Sequence, residues 1–149
     1  MKSGSYGAKI LVAEDDKLLR LMIARLLQAS GYNVHTCGNG NQALGLIGKE
    51  FFDLVITDMM MPGATGMEVL RETRRSQPRT KVIIITGTPS SEILLEAKQQ
   101  GAYAYLRKPF QLRHFLSAVE DAIEHSRLRY GHEYARSLRK ENRNAEREI

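Results

Sequence analysis

Cysteine occurs once in the 149 residues, at Cys37, so no internal disulfide can form. The lack of any CxxC or Cys/His cluster argues against a structural zinc site as well. Tryptophan is absent and proline is scarce, at 4 residues against 12 glycines, which removes collagen-like and proline-rich low-complexity architectures. No apolar run approaches the ~18 residues a membrane span needs. The opening residues Met1 to Ala8 are small and polar, with no hydrophobic signal core, so the chain reads as cytoplasmic. At 42% hydrophobic and 26% charged residues, the composition is that of a folded domain. A chain of this length buries roughly 68–70% of its unfolded surface and needs neither disulfide nor metal to hold a core.

Charge of one sign is also scarce over most of the chain. Residues 1–126 hold 15 basic and 13 acidic side chains, whereas 127–149 hold seven basic and four acidic ones. That C-terminal stretch carries Arg127, Arg129, Arg136, Arg139, Lys140, Arg143 and Arg147. Phosphate neutralisation by such a segment is conceivable chemistry. Its mixed signs and the lack of a helix-turn-helix or other reading module point instead to a solvated helix face, and direct nucleic-acid binding is not expected.

Five short β-branched or aliphatic runs recur, each followed by a stretch with helical spacing, which predicts an α/β fold with a parallel sheet covered on both faces. The first run is Lys9–Glu14; Leu18, Leu19, Met22, Ile23, Leu26 and Leu27 then recur at helical steps, with Asp16 as N-cap. Asn33–Cys37 and Asn41–Lys49 form a weaker pair. Asp53–Asp58 is strongly strand-like and enters a loop, Met59–Gly66, broken by Pro62 and two glycines. A helix then runs to about Ser76. Lys81–Thr86 is the most apolar strand and precedes a helix over Ser90–Gln100. Tyr103–Leu106 is the last strand, and Leu112, Phe115, Leu116, Val119 and Ile123 mark the final domain helix.

Beyond it, Leu128, Ala135, Asn142 and Ile149 fall seven apart, with Gly131, Leu138 and Ala145 at the complementary heptad positions. This thin seam leaves two readings open: a helix that pairs in a homodimer, with Asn142 setting register, or a solvent-exposed extension.

In open α/β sheets ligands bind at the carboxyl ends of the strands. Those ends carry Glu14 and Asp15, Asp58, Thr86 and Lys108. Three carboxylates crowded together raise one another's pKa and call for a cation. All-oxygen donors favour a hard ion, Mg²⁺, which keeps several waters and takes few protein carboxylates plus a phosphate oxygen. Lys108 and Thr86 would then face the phosphate, and Asp58 could be a nucleophile that forms an aspartyl phosphate. Each residue alone also has a plain structural role: a strand-ending Asp as a helix cap, Glu14-Asp15-Asp16 as a helix start, Lys108-Pro109 as a turn.

The joint pattern closely resembles the response-regulator receiver domain of two-component signalling, chemotaxis-regulator-like, over about residues 8–126. The matching segments are Ile10–Asp16, Asp53–Gly63 with Gly66, Val82–Thr86 and Gly101–Phe110. The resemblance implies a flavodoxin-like, doubly wound five-stranded sheet of order 2-1-3-4-5, with residues 127–149 as a helical extension. It implies Asp58 as phosphoacceptor, Glu14, Asp15 and the Met60 carbonyl as Mg²⁺ ligands with Asp58, and Thr86 and Lys108 as the grip on the phosphoryl group. Tyr105 matches the family's aromatic switch, and Lys108-Pro109 its usual cis peptide. The surface of the fourth helix, fifth strand and fifth helix would respond. The implied partner is a histidine kinase or phosphotransfer protein, and the chemistry is limited to self-phosphorylation and self-dephosphorylation.

Two departures stand out. Thr65 replaces an Asp common before the loop's last Gly, and Met60 and Thr88 offer no carboxylate or carboxamide to orient a hydrolytic water, which predicts slow loss of the phosphoryl group. A metal-dependent phosphohydrolase would carry a second Asp where Met60 stands. A nucleotide switch would need a Gly-Lys-Ser/Thr ending that Gly38-Asn-Gly-Asn lacks. A receiver-shaped module that is never phosphorylated conflicts with the complete acid, Thr and Lys set. The segment 127–149 remains either a linker to an output domain outside this chain or the end of a stand-alone regulator.

Overall fold

The computed structural model describes residues 7–127, and the heptad pattern beyond 127 lies outside them. The elements alternate as expected: β1 (Lys9–Ala13), α1 (Lys17–Ala29), β2 (Asn33–Cys37), α2 (Gly40–Ile47), β3 (Leu54–Asp58), α3 (Gly66–Ser76), β4 (Lys81–Thr86), α4 (Ser91–Gln99) and β5 (Ala104–Arg107). Residues 112–127 are helical and form α5. All strands are parallel in the order β2-β1-β3-β4-β5, with Ile10 opposite Leu54, Leu54 opposite Lys81 and Ile83 opposite Ala104.

Side chains alternate across a strand, so each central strand feeds two cores. Ile10, Val12, Leu54, Ile56, Ile83 and Ile85 face one side and pack under Ile23 and Leu27 of α1 and Phe115, Val119 and Ile123 of α5. Leu11, Val55, Val82 and Ile84 face the other, against Ala43 and Ile47 of α2, Val69 and Leu70 of α3 and Ala97 of α4. Burial on both faces is why β3 and β4 read as continuous apolar runs. Each buried Leu, Ile or Phe contributes about 1.5–3 kcal/mol of transfer free energy.

Caps set most helix starts. Asp16 accepts from the amides of Leu18 and Leu19, and Asn39 accepts from that of Gln42. Ser90 accepts from the Ile93 amide, so it caps α4 rather than opening it. Strand and helix limits differ from the sequence expectation by one or two residues: β1 ends at Ala13, one residue before Glu14, and β5 runs to Arg107. Thr65, the departure from the common Asp, forms a full capping box with Glu68. α3 is therefore capped without the carboxylate.

The helical spacing of α1 and α5 is present, but not every apolar residue of it is buried. The apolar stripe of α1 is wider than the face the sheet covers, so Leu18 is 70% and Met22 56% exposed, and Leu112 at the start of α5 is 56% exposed. No helix among the described residues is long and apolar enough to cross a membrane.

Candidate phosphoacceptor and metal site

The parallel register brings the carboxyl ends of β1, β3, β4 and β5 to one edge, and Glu14, Asp15, Asp58, Thr86 and Lys108 all lie there. Glu14, Asp15 and Asp58 each place a carboxylate oxygen within 4.8 Å of the others. Glu14 is fully buried and Asp58 nearly so, while Asp15 opens to solvent.

Lys108 ties this cluster together. Its ammonium donates to Glu14 Oε1 at 2.5 Å and to Asp58 Oδ2 at 2.6 Å. The other oxygens are also engaged: Glu14 Oε2 accepts from the Asp16 amide at 3.4 Å, and Asp58 Oδ1 from the Met60 amide at 3.2 Å. Burial and a hydrogen bond to Asp58 push the Glu14 carboxyl up to about 7, against the opposing pull of Lys108. Burial acts against charge on Lys108, but its bonds to Asp58 and Glu14 outweigh that and hold its pKa above the ordinary lysine value. One ammonium is thus bonded to two of the three clustered carboxylates, and Asp15 stands beside them without it. The excess negative charge, with hard oxygen donors only, is a set suited to a hard divalent cation.

The remaining expected residues are at the same edge with different engagements. Thr86 is fully buried; its hydroxyl accepts from the Thr88 amide at 3.1 Å, and its carbonyl accepts from the Lys108 amide at 2.7 Å. The Lys108-Pro109 peptide is cis. Met60 lies in the loop next to Asp58 with its side chain 61% exposed. Tyr105 packs against the α2–α4 core, and its hydroxyl is buried with no hydrogen-bond partner among the described residues.

Gly66 belongs to the matching loop segment, but the sequence did not show why it is needed, and Gly40, Asn41 and Arg20 were not singled out as supports at all. Gly66 must be glycine because a Cβ there would lie 2.4 Å from the Asp58 carbonyl oxygen. Gly40 has the same constraint, since its Cβ would meet the Ala64 carbonyl at 1.9 Å, so the start of α2 sits directly on the loop that follows Asp58. Asn41 Oδ1 accepts from the Ala64 amide at 3.3 Å and holds that loop. Arg20 Nη1 donates to the Glu14 carbonyl at 2.8 Å. The glycines are visible in the sequence, but nothing local shows what they approach. An apolar groove of about 400 Å³ adjoins the site, lined by Leu18, Leu19, Met22, Pro109, Phe110 and Leu112 beside Lys108 itself.

Comparison with known proteins agrees with the fold and assigns its family. The family described as "Response regulator receiver domain" matches residues 10–120. DNA-binding transcriptional regulator NtrC of Salmonella typhimurium is 34% identical over 116 residues, 78% of this chain and 25% of that protein. Sporulation initiation phosphotransferase F of Bacillus subtilis is 33% identical over 112 residues, 75% of this chain and 90% of that one. A receiver domain from Clostridium thermocellum superposes with TM-score 0.76 at 36% identity, covering 81% of this chain and 98% of that one. A CheY-like receiver protein from Methanospirillum hungatei gives TM-score 0.78 at 28% identity, covering 80% and 96%. The chain thus spans about a quarter of the NtrC length and nearly all of the phosphotransferase.

Proposed function

From the premise that the chain belongs to the response-regulator receiver family of two-component signalling, we propose that Asp58 accepts a phosphoryl group from a phosphohistidine of a kinase or phosphotransfer protein. The observation that carries this reading is the Lys108 ammonium held on both Glu14 and Asp58, with Asp15 alongside, at the strand ends. A carboxylate oxygen of Asp58 attacks phosphorus, an acyl–phosphate bond forms, and the P–N bond to the donor imidazole breaks. The imidazole nitrogen leaves with the electron pair.

Glu14, Asp15, Asp58 and the Met60 carbonyl would hold Mg²⁺, which, when bound, neutralises charge on the transferring group. This chain's residues do the rest. Lys108 transfers one hydrogen bond from Asp58 to a phosphoryl oxygen. Thr86 exchanges its bond with the Thr88 amide for one to the phosphoryl group, and Tyr105, on the neighbouring strand, repacks with it. That repacking is a two-state change in the surface of α4, β5 and α5 driven by a new dianion.

The apolar groove at the rim explains a protein donor. A phosphohistidine can reach Asp58 only if its carrier covers this edge, and Leu18, Met22 and Leu112 offer an exposed contact there. Residues 8–126 form the acting unit in this reading, with 127–149 either a linker to an output domain or a dimerising end. Met60 two residues past Asp58 leaves no general acid for a phosphohydrolase. The test is loading with a small acyl phosphate and Mg²⁺. Mass spectrometry should show one added phosphoryl group, absent in Asp58→Asn and absent without Mg²⁺; phosphorylation of Asp58→Asn to the same extent would reject the assignment.

A further inference from the structure

We propose that Arg20 is a positioning residue for the metal site, acting through the backbone of the acidic turn; the inference rests on the functional reading above. Asp15 is the only one of the three clustered carboxylates whose side chain makes no hydrogen bond among the described residues, and it is exposed. Its direction is therefore set by its backbone. The Glu14 carbonyl and the Asp15 amide share one planar unit, so whatever fixes that carbonyl fixes the plane of the peptide leading into Asp15 and with it the position of the Asp15 Cα from which the side chain departs. The Glu14 amide is held by the Cys37 carbonyl at 3.1 Å, and its carbonyl by Arg20 Nη1 at 2.8 Å. The side chain of Asp16 is already committed to the first amides of α1. Arg20 is thus the side-chain anchor of the peptide between the two acidic residues.

The guanidinium is itself seated by the next loop. It lies over Gly38, where an added Cβ would be 3.0 Å from Nη1. Being on the second turn of α1, Arg20 ties that helix to the turns after β1 and after β2. A bond to a neutral carbonyl does not neutralise a carboxylate, so two effects of Arg20 on a bound cation have opposite signs. As a fixed positive charge it would repel the metal; as the anchor of the Asp15 backbone it would favour binding.

Mg²⁺ titration of the full chain by isothermal calorimetry separates the two. Arg20→Lys keeps the charge and loses the planar fork, and Arg20→Met loses both. Positioning predicts that both weaken Mg²⁺ binding by about tenfold, the scale seen when groups that orient ligands are removed. Gly38→Ala, which crowds the guanidinium but leaves its charge, should weaken binding in the same direction and less. Melting in EDTA checks each variant's fold, and Gly38→Ala alone decides if an Arg20 variant does not fold. Tighter binding by Arg20→Met with no change in Arg20→Lys would show a purely electrostatic effect and overturn the proposal, as would no change in any variant. Wild-type chain that fails to bind Mg²⁺ would instead overturn the functional reading on which it rests.

Discussion

Replacing Glu14 by Gln should stabilise the metal-free protein at pH 8 and leave it nearly unchanged at pH 4.5. Glu14 is fully buried, and burial first, then its hydrogen bond to Asp58, raises its carboxyl from 4.5 to about 7. A carboxyl raised in the folded state holds its proton more tightly there than in the unfolded chain, so its stability contribution is intact below about 4.5 and is lost as pH rises through 7. Ionisation near 7 when folded and 4.5 when unfolded amounts to ~3 kcal/mol of lost stability at pH 8. Lys108, held above the ordinary lysine value, stays charged across this window, so its own ionisation adds no difference between the two pH values. Gln keeps the shape and removes the ionisation but forgoes the charged contact to Lys108, so the net gain at pH 8 is about 1–3 kcal/mol. Urea unfolding in EDTA at both pH values measures it. Adding Mg²⁺ should reverse the ranking, because the cation stabilises only the chain that binds it. An equal effect of Glu14→Gln at pH 4.5 and 8 would refute the argument that buried, mutually repelling carboxylates dominate this edge.

Loss of the phosphoryl group should be slow, and Met60→Asn combined with Thr88→Glu should speed it by about tenfold to a hundredfold by orienting a water at the acyl phosphate; phosphate release after removal of donor reads this, and an unchanged rate rejects it. Leu18→Glu or Met22→Glu on the exposed stripe of α1 should slow transfer from a phosphohistidine protein while leaving small-donor loading at its wild-type rate. Parallel loading assays decide, and an equal loss with both donors would place the defect in the chemistry. Tyr105→Phe removes a buried hydroxyl without a partner among the described residues and should stabilise the unphosphorylated chain by about 1 kcal/mol; urea unfolding that shows a loss instead would mean the hydroxyl is satisfied.

The alternation of apolar runs and helical stretches determined the fold class, because a strand buried on both faces must be apolar throughout and a helix covering it must be apolar on one stripe. The motifs likewise marked Glu14, Asp15, Asp58, Thr86 and Lys108, since strand ends are where a parallel sheet exposes side chains to a ligand. Caps such as Asp16 were legible for the same local reason: side chain and partner amides lie within three residues.

Partners far apart in the chain were not legible. That Lys108 would span Glu14 and Asp58 depends on three strands meeting in register. That Gly40 and Gly66 are glycines for want of space depends on backbone from another segment arriving at that point. The spacing of Leu18 and Met22 marked a helix but did not say how much of its apolar stripe the sheet covers, and both are exposed. Which groups lie at the strand ends was determined by the sequence alone, because that follows from local periodicity. Their charges, hydrogen bonds and exposure were decided by the tertiary structure, because those properties depend on which atoms of other segments displace water around each group.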